Sequence, residues 1–410
     1  MASKTSIQTK TAVSLAALMF LAANLRPALT SVGPLIGHIR LTTGISLAAA
    51  GLLTSLPLVA FGALAPLAQF GRRFGMERTL AAALLLLTLG ILIRSEGSIA
   101  ALFTGSLCLA AGIAVGNVLV PSLIKRDFPH RVKGVTTLYA VMLNLVPAIS
   151  TGVVVPLSDW LPGGWRSALA VWAIPAAAAL VLWLPAAMRP PQDSQAPRES
   201  GSLPIWRSGL AWQVTAFMGL QSLSFYVTIT WVPAILHTHG VTAAEAGLLM
   251  SLYQLVALVA LPAVPALLRL ARDQTVLAAA CSLLILLSVC GFLFFPAGAY
   301  LWIMTMGVGS GVSLTLALGF ISLRAADHHE AAALSIMSQS IGYLLAAAGT
   351  FCCGLIHDLS GGWTIPLILW ALIAVAQAIV GVGAGRDRTV SLGRFGGGVD
   401  APLDPMGHIE

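Results

Sequence analysis

The chain is a succession of long apolar runs parted by short polar breaks. Runs of about twenty apolar residues, long enough for a helix to cross a bilayer, lie near residues 12–36, 45–69, 79–95, 98–123, 135–158, 166–187, 209–235, 243–268, 275–295, 298–322, 331–356 and 363–384. A backbone in lipid must satisfy its own hydrogen bonds, so such runs predict helices. The polar segment Arg189–Arg207, with Pro, Ser, Gln and Asp, divides the twelve runs six and six. The expected domains are a bundle over residues 1–188, a flexible cytoplasmic linker over 189–208, a second bundle over 209–385 and a disordered cytoplasmic tail over 386–410. The predicted fold is an all-α membrane protein, with twelve transmembrane helices in two pseudo-symmetric six-helix bundles. Transporters that rock about a midplane site are built this way. The first run is too long for a signal-peptide core and is read as an uncleaved span.

Composition supports this reading. Of 410 residues, 58% are hydrophobic and only 9% charged, against about a quarter charged in soluble domains. The net charge of +7 reflects membrane topology rather than nucleic-acid binding. With the N-terminus inside, eighteen of the 22 Lys and Arg fall on inner segments, and only Arg40, Arg94 and Arg166 fall on outer loops. That bias places both termini in the cytoplasm. Cys108, Cys281, Cys290, Cys352 and Cys353 all lie in apolar runs without metal-ligand spacing, so they read as small hydrophobes. No metal and no cofactor is expected. No nucleotide-binding loop occurs, and the glycines of Gly307–Gly311 sit mid-helix, where they predict close helix packing. A monomer is expected.

The remaining charge, Arg26, lies near the middle of the first run. An arginine cannot shed its proton, and at bilayer depth it must face a bundle interior or a wet cavity. It is read as the anchor for an anion or an electron-rich polar solute. The alternative is an arginine tied to carbonyls merely to hold helices together. Thr30 lies one turn further on, and Gly33 continues that face. Pro27 removes a backbone donor and frees the carbonyl of Ala23 beside the arginine. Asn24, Asn117, Gln221, Tyr226, Tyr253, Gln254 and Gln339 complete the candidate substrate-binding set. For each, a helix–helix hydrogen bond is the competing role. Trp231 and Trp302 are expected to anchor the outer interface. All fifteen carboxylates map to loops, tails or span ends, so Arg26 has no evident fixed counter-ion and a proton relay is hard to write. Asp159 and Glu245, at the outer rim, are the nearest carboxylates. Arg72, Arg73, Glu77, Asp127 and Arg131, on inner segments, are candidate gating charges, or plain topology signals.

The stretches Asn24-Leu25-Arg26-Pro27, Gly116-Asn117-Val118-Leu119-Val120-Pro121, Ile124-Lys125-Arg126-Asp127-Phe128-Pro129 and Gly219-Leu220-Gln221-Ser222, with Phe225-Tyr226, resemble the cyanate-permease branch of the major facilitator superfamily. The resemblance covers about residues 10–385, and that branch includes proteins linked to cyanate and to nitroimidazole transport. It implies an inner-membrane permease of small anions or polar heterocycles. One departure concerns the superfamily's loop between spans two and three, Gly-x-x-x-Asp-Arg-x-Gly-Arg-Arg. Aligned on Gly75, this chain has Ala68 for the first Gly and Arg72 for the Asp. Glu77 or Asp127 is then the candidate stand-in for the missing acid. The expected function is a secondary active or facilitated permease that moves a small anion, cyanate-like or another small organic or inorganic anion, by alternating access, with Arg26 as the anchor. The alternative is export of uncharged drugs or heterocycles. A sensor would need a further domain, and no catalytic constellation suggests an enzyme.

Overall fold

The computed structural model describes residues 15–64, 75–188, 205–262, 264, 273–325 and 328–390. The first span, α1, is a bent pair, Leu15–Thr30 and Val32–Thr43, meeting at 42°. Then follow α2 (Leu47–Leu64), α3 (Met76–Arg94), α4 (Ile99–Asp127) and α5 (Val132–Trp160). The sixth, α6, runs over Trp165–Ala187. The second six are α7 (Gly209–His237), α8 (Ala243–Ala260), α9 (Thr275–Phe294), α10 (Ala299–Leu323), α11 (His328–Ser360) and α12 (Thr364–Gly385). Among the described residues, ten helices are long and apolar enough to cross a membrane, α1 makes an eleventh, and Leu47–Ala63 of α2 is apolar but shorter. The chain is a multi-pass membrane protein.

Helix ends follow local chemistry. Ser98, Ser208 and Thr242 accept from backbone N–H groups three residues on, capping α4, α7 and α8. Gly44, at φ 72°, ends α1 about two helical turns later than the hydropathy pattern implies, so Arg40 lies in the last turn of a helix and not in a loop.

Each half packs on itself through small residues. A Cβ on Gly90 would lie 2.4 Å from the Leu109 nitrogen, and one on Gly112 would lie 2.4 Å from the Ala83 carbonyl, so α3 and α4 meet backbone to backbone. Gly307 and Gly311 do the same against the carbonyls of Tyr253 and Ala257 on α8, as expected for that run. At the end of α10, Arg324 is 1% exposed. It donates to the carbonyls of Ala384 and Gly385, contacts Gln274, and pairs with Asp387 at 3.6 Å. The chain after α12 returns to it, Val390 donating to its carbonyl. The two bundles meet along α2–α11, α5–α8 and α1–α7.

Candidate functional site

The site begins where α1 breaks. The helix stops at Ala23 and resumes at Pro27, with Arg26 in the capping position at φ −127°. Pro27 lacks an N–H and its ring clashes with the carbonyl four residues back, so the break is the direct result of Arg-Pro. Asn24 turns to its own helix and donates to the Phe20 carbonyl at 2.8 Å, which satisfies part of the broken ladder. Arg26 is partly exposed. Its guanidinium lies over the Phe225 ring at 5.9 Å. Among the described residues it makes no hydrogen bond and no ion pair.

Aromatic side chains from α5, α7 and α11 surround that charge. The hydroxyls of Tyr139, Tyr226 and Tyr343, on α5, α7 and α11, lie within its electrostatic reach. Phe225 packs edge-on against Tyr226 at 5.2 Å and tilted against Tyr253 at 5.9 Å. Tyr343 meets Phe61 of α2 at 5.5 Å. Tyr139, Phe225 and Tyr343 were not among the candidate residues. Their signal was faint, because single aromatics in an apolar helix look like core.

The other candidates divide. Gly116 packs on Leu25, where a Cβ would meet its Cδ2 at 2.5 Å, so Asn117 sits beside the break. Asn117 is partly exposed and makes no side-chain hydrogen bond among the described residues. Thr30 contacts Ser150 of α5 at 3.1 Å. Gln221 is held within its own helix by the Met218 carbonyl and Ser222. Gln339 bonds Ser335 at 2.7 Å. Tyr253 is fully buried with its hydroxyl on Ser310 at 2.8 Å. Gln254 reaches across the bundles to Thr151 at 3.0 Å. Thus Arg26, Tyr226 and Asn117 come together around the break, whereas the six others, Asn24, Thr30, Gln221, Tyr253, Gln254 and Gln339, are occupied by partners in the helices.

The bundles are sealed on the side where α1 ends. There Asp358 of α11 accepts from the Ala48 N–H at the start of α2, at 2.8 Å. Trp231, expected at the lipid interface, is fully buried instead, donating to the Thr350 carbonyl at 2.9 Å. It sits against Gly51 and Gly354, whose missing side chains make room for its ring. Trp302 stays partly exposed in the first turn of α10, donating to the Phe295 carbonyl. On the same side, Asp159 is exposed, and Glu245 accepts from Tyr300 at 2.9 Å.

Arg94 also departs from the sequence reading. Assigned to an outer loop, it is instead the last residue of α3 and 1% exposed. A Cβ on Gly105 would lie 2.3 Å from its backbone nitrogen. That close approach of α4 leaves the side chain only the bundle interior, where Nη1 donates to the Ala28 carbonyl at 2.6 Å. Arg26 is therefore not the only charge at depth. The available signal was that Arg94 follows an apolar run with no polar residue between.

Of the gating candidates, Arg72 and Arg73 lie outside the described residues. Arg126 joins Asp127 at 2.6 Å and Glu77 in a contact linking α3 and α4. Trp183 of α6 donates to the Glu77 carbonyl, so this cluster braces one bundle internally. Arg131 is exposed.

Two six-helix bundles meeting around a partly exposed charge make the architecture of a membrane transporter. The family model of the Major Facilitator Superfamily matches residues 13–350, and the chain belongs to that superfamily. It is 44% identical over 382 residues to the 2-nitroimidazole transporter of Escherichia coli, covering 92% of this chain and 96% of that protein. It is 30% identical over 373 residues to the cyanate transport protein CynX of the same organism, covering 88% and 94%. In structure it is similar to a bacterial homolog of the human lysosomal transporter Spinster in an inward-facing, unoccupied conformation, with a TM-score of 0.76, 15% identity and coverage of 91% and 96%. The chain is a transporter and not an enzyme.

Proposed function

We propose that the protein is a permease for a small anion, driven by a gradient or purely facilitative, with Arg26 as the anchor. The observation that carries this reading is a guanidinium at a helix break that is partly exposed and has no carboxylate or carbonyl partner among the described residues. A charge held at bilayer depth without a protein counter-ion is expected to have a mobile one. Asn117 and Tyr226 are the nearest free polar groups to orient it. The sealed side is outward in the orientation that the Lys and Arg count implies. Arg26 is then reached from the cytoplasm, and rocking of residues 1–188 against 209–385 exchanges the two faces.

A second reading has its own support. The aromatic walls Phe225, Tyr226 and Tyr343 suit a flat heterocycle, and one relative is named a 2-nitroimidazole transporter. Such a solute sets partly negative oxygens on Arg26 and stacks its ring on the aromatics.

The test is thermal stabilisation of the purified protein by small anions and by neutral nitroheterocycles, beside Arg26→Ala and Arg26→Lys. An anion carrier loses its ligand in Arg26→Ala, and Arg26→Lys is badly impaired because a point charge does not reproduce the planar fork. Equal stabilisation of the native protein and Arg26→Ala moves the site away from the break.

A further inference from the structure

The two buried arginines of this protein are treated very differently. Arg324 has carbonyls, an amide and a carboxylate around it. Arg94 is as deeply buried but has one carbonyl, while its Nε and Nη2 have no partner among the described residues. Among the described residues no carboxylate faces it. A guanidinium stays charged, and a buried charge without compensation is strongly disfavoured.

Beside Arg94 lies a small cavity of about 20 Å³, room for one or two water-sized groups. It is walled by α1, α2, α3 and α4 on one side and by α7 on the other. Ser106, Tyr226 and Thr230 line it, and their hydroxyls make no hydrogen bond among the described residues. A buried guanidinium with two unpartnered nitrogens and three uncommitted hydroxyls thus line one small void. Every one of these groups can donate, and a single anion can accept from all of them at once, whereas one water accepts only two hydrogen bonds.

We propose that this cavity is a binding site for a single halide-sized monovalent anion, anchored by Arg94 rather than Arg26, with Tyr226 within reach of both arginines. The site is completed by Tyr226 and Thr230 of the opposite bundle, so it exists only while the bundles are sealed together here. Binding therefore favours the sealed state, in proportion to its differential affinity for that state. The inference does not depend on what Arg26 carries.

The experiment compares thermal unfolding of the full chain in detergent across chloride concentrations, with gluconate holding ionic strength constant. Gluconate is too large for the cavity. The native protein and Arg26→Ala are expected to show a saturable chloride-dependent rise in Tm. Arg94→Gln should lose it. Ser106→Ala combined with Thr230→Val, which leaves the arginine in place, should raise the half-saturating chloride about tenfold, and carries the test if Arg94→Gln does not fold. No saturable rise in the native protein overturns the proposal, as does a full rise in Arg94→Gln or an unchanged midpoint in the double variant. Loss of the rise in Arg26→Ala with its retention in Arg94→Gln would place the anion at Arg26 alone, overturning this site and leaving the permease reading standing.

Discussion

Gly33 is the point where α1 and α7 come closest, and replacing it by alanine should push the bundles apart. A Cβ there lies 2.0 Å from the Ile229 carbonyl oxygen, whereas ordinary contact begins at 3.4 Å, so the backbones must separate by more than an ångström. Neither partner is a flexible side chain, and overpacking of this kind costs about 1–3 kcal/mol. At about 2 kcal/mol the ratio of sealed to open molecules falls about thirtyfold. Gly37, one turn on, is the control: nothing lies within 4 Å of a Cβ placed there, so Gly37→Ala should leave the equilibrium unchanged. The assay uses a variant lacking the five native cysteines, with Thr54→Cys behind the seal as a reporter. Labelling by a membrane-impermeant maleimide should accelerate in Gly33→Ala and not in Gly37→Ala. Equal labelling rates in Gly33→Ala and its parent, with equal Tm, would refute the idea that this contact closes the transporter.

Three further outcomes follow from the same geometry. Asp358→Ala removes the acceptor at the start of α2 and should weaken the seal by about 1 kcal/mol, read as faster reporter labelling without loss of Arg26-dependent binding. Gln254→Leu cuts the bond to Thr151, and a double-mutant cycle with Thr151→Val should give a coupling of about 0.6 kcal/mol, the membrane average; zero coupling would assign Gln254 elsewhere. Glu77→Gln leaves Arg126 its bond to Asp127, and at side-chain exposures of 23% and 17% the lost pair is worth about 1 kcal/mol or less. A Tm drop of more than a few degrees would mean that the cluster does more than brace its own bundle.

The sequence alone determined the spans, because lipid imposes a length and an apolar composition that few other constraints disturb. It also exposed Arg26 and the break beside it, since Arg-Pro within an apolar run has local consequences that need no tertiary context. Tertiary structure decided which polar residues are free. Gln221, Gln254 and Tyr253 look alike in the sequence to Tyr226 and Asn117, but their partners lie on other helices or the preceding turn, and hydropathy carries no record of partners. Arg94 and Trp231 were misplaced for the same reason: a residue near a span end is assigned to the interface by depth along its own helix. Whether it faces lipid, water or the opposite bundle depends on close approaches such as Arg94 against Gly105 and Trp231 against Gly51. Those approaches are set by the packing of glycines far apart in the chain, and only the folded molecule shows where they meet.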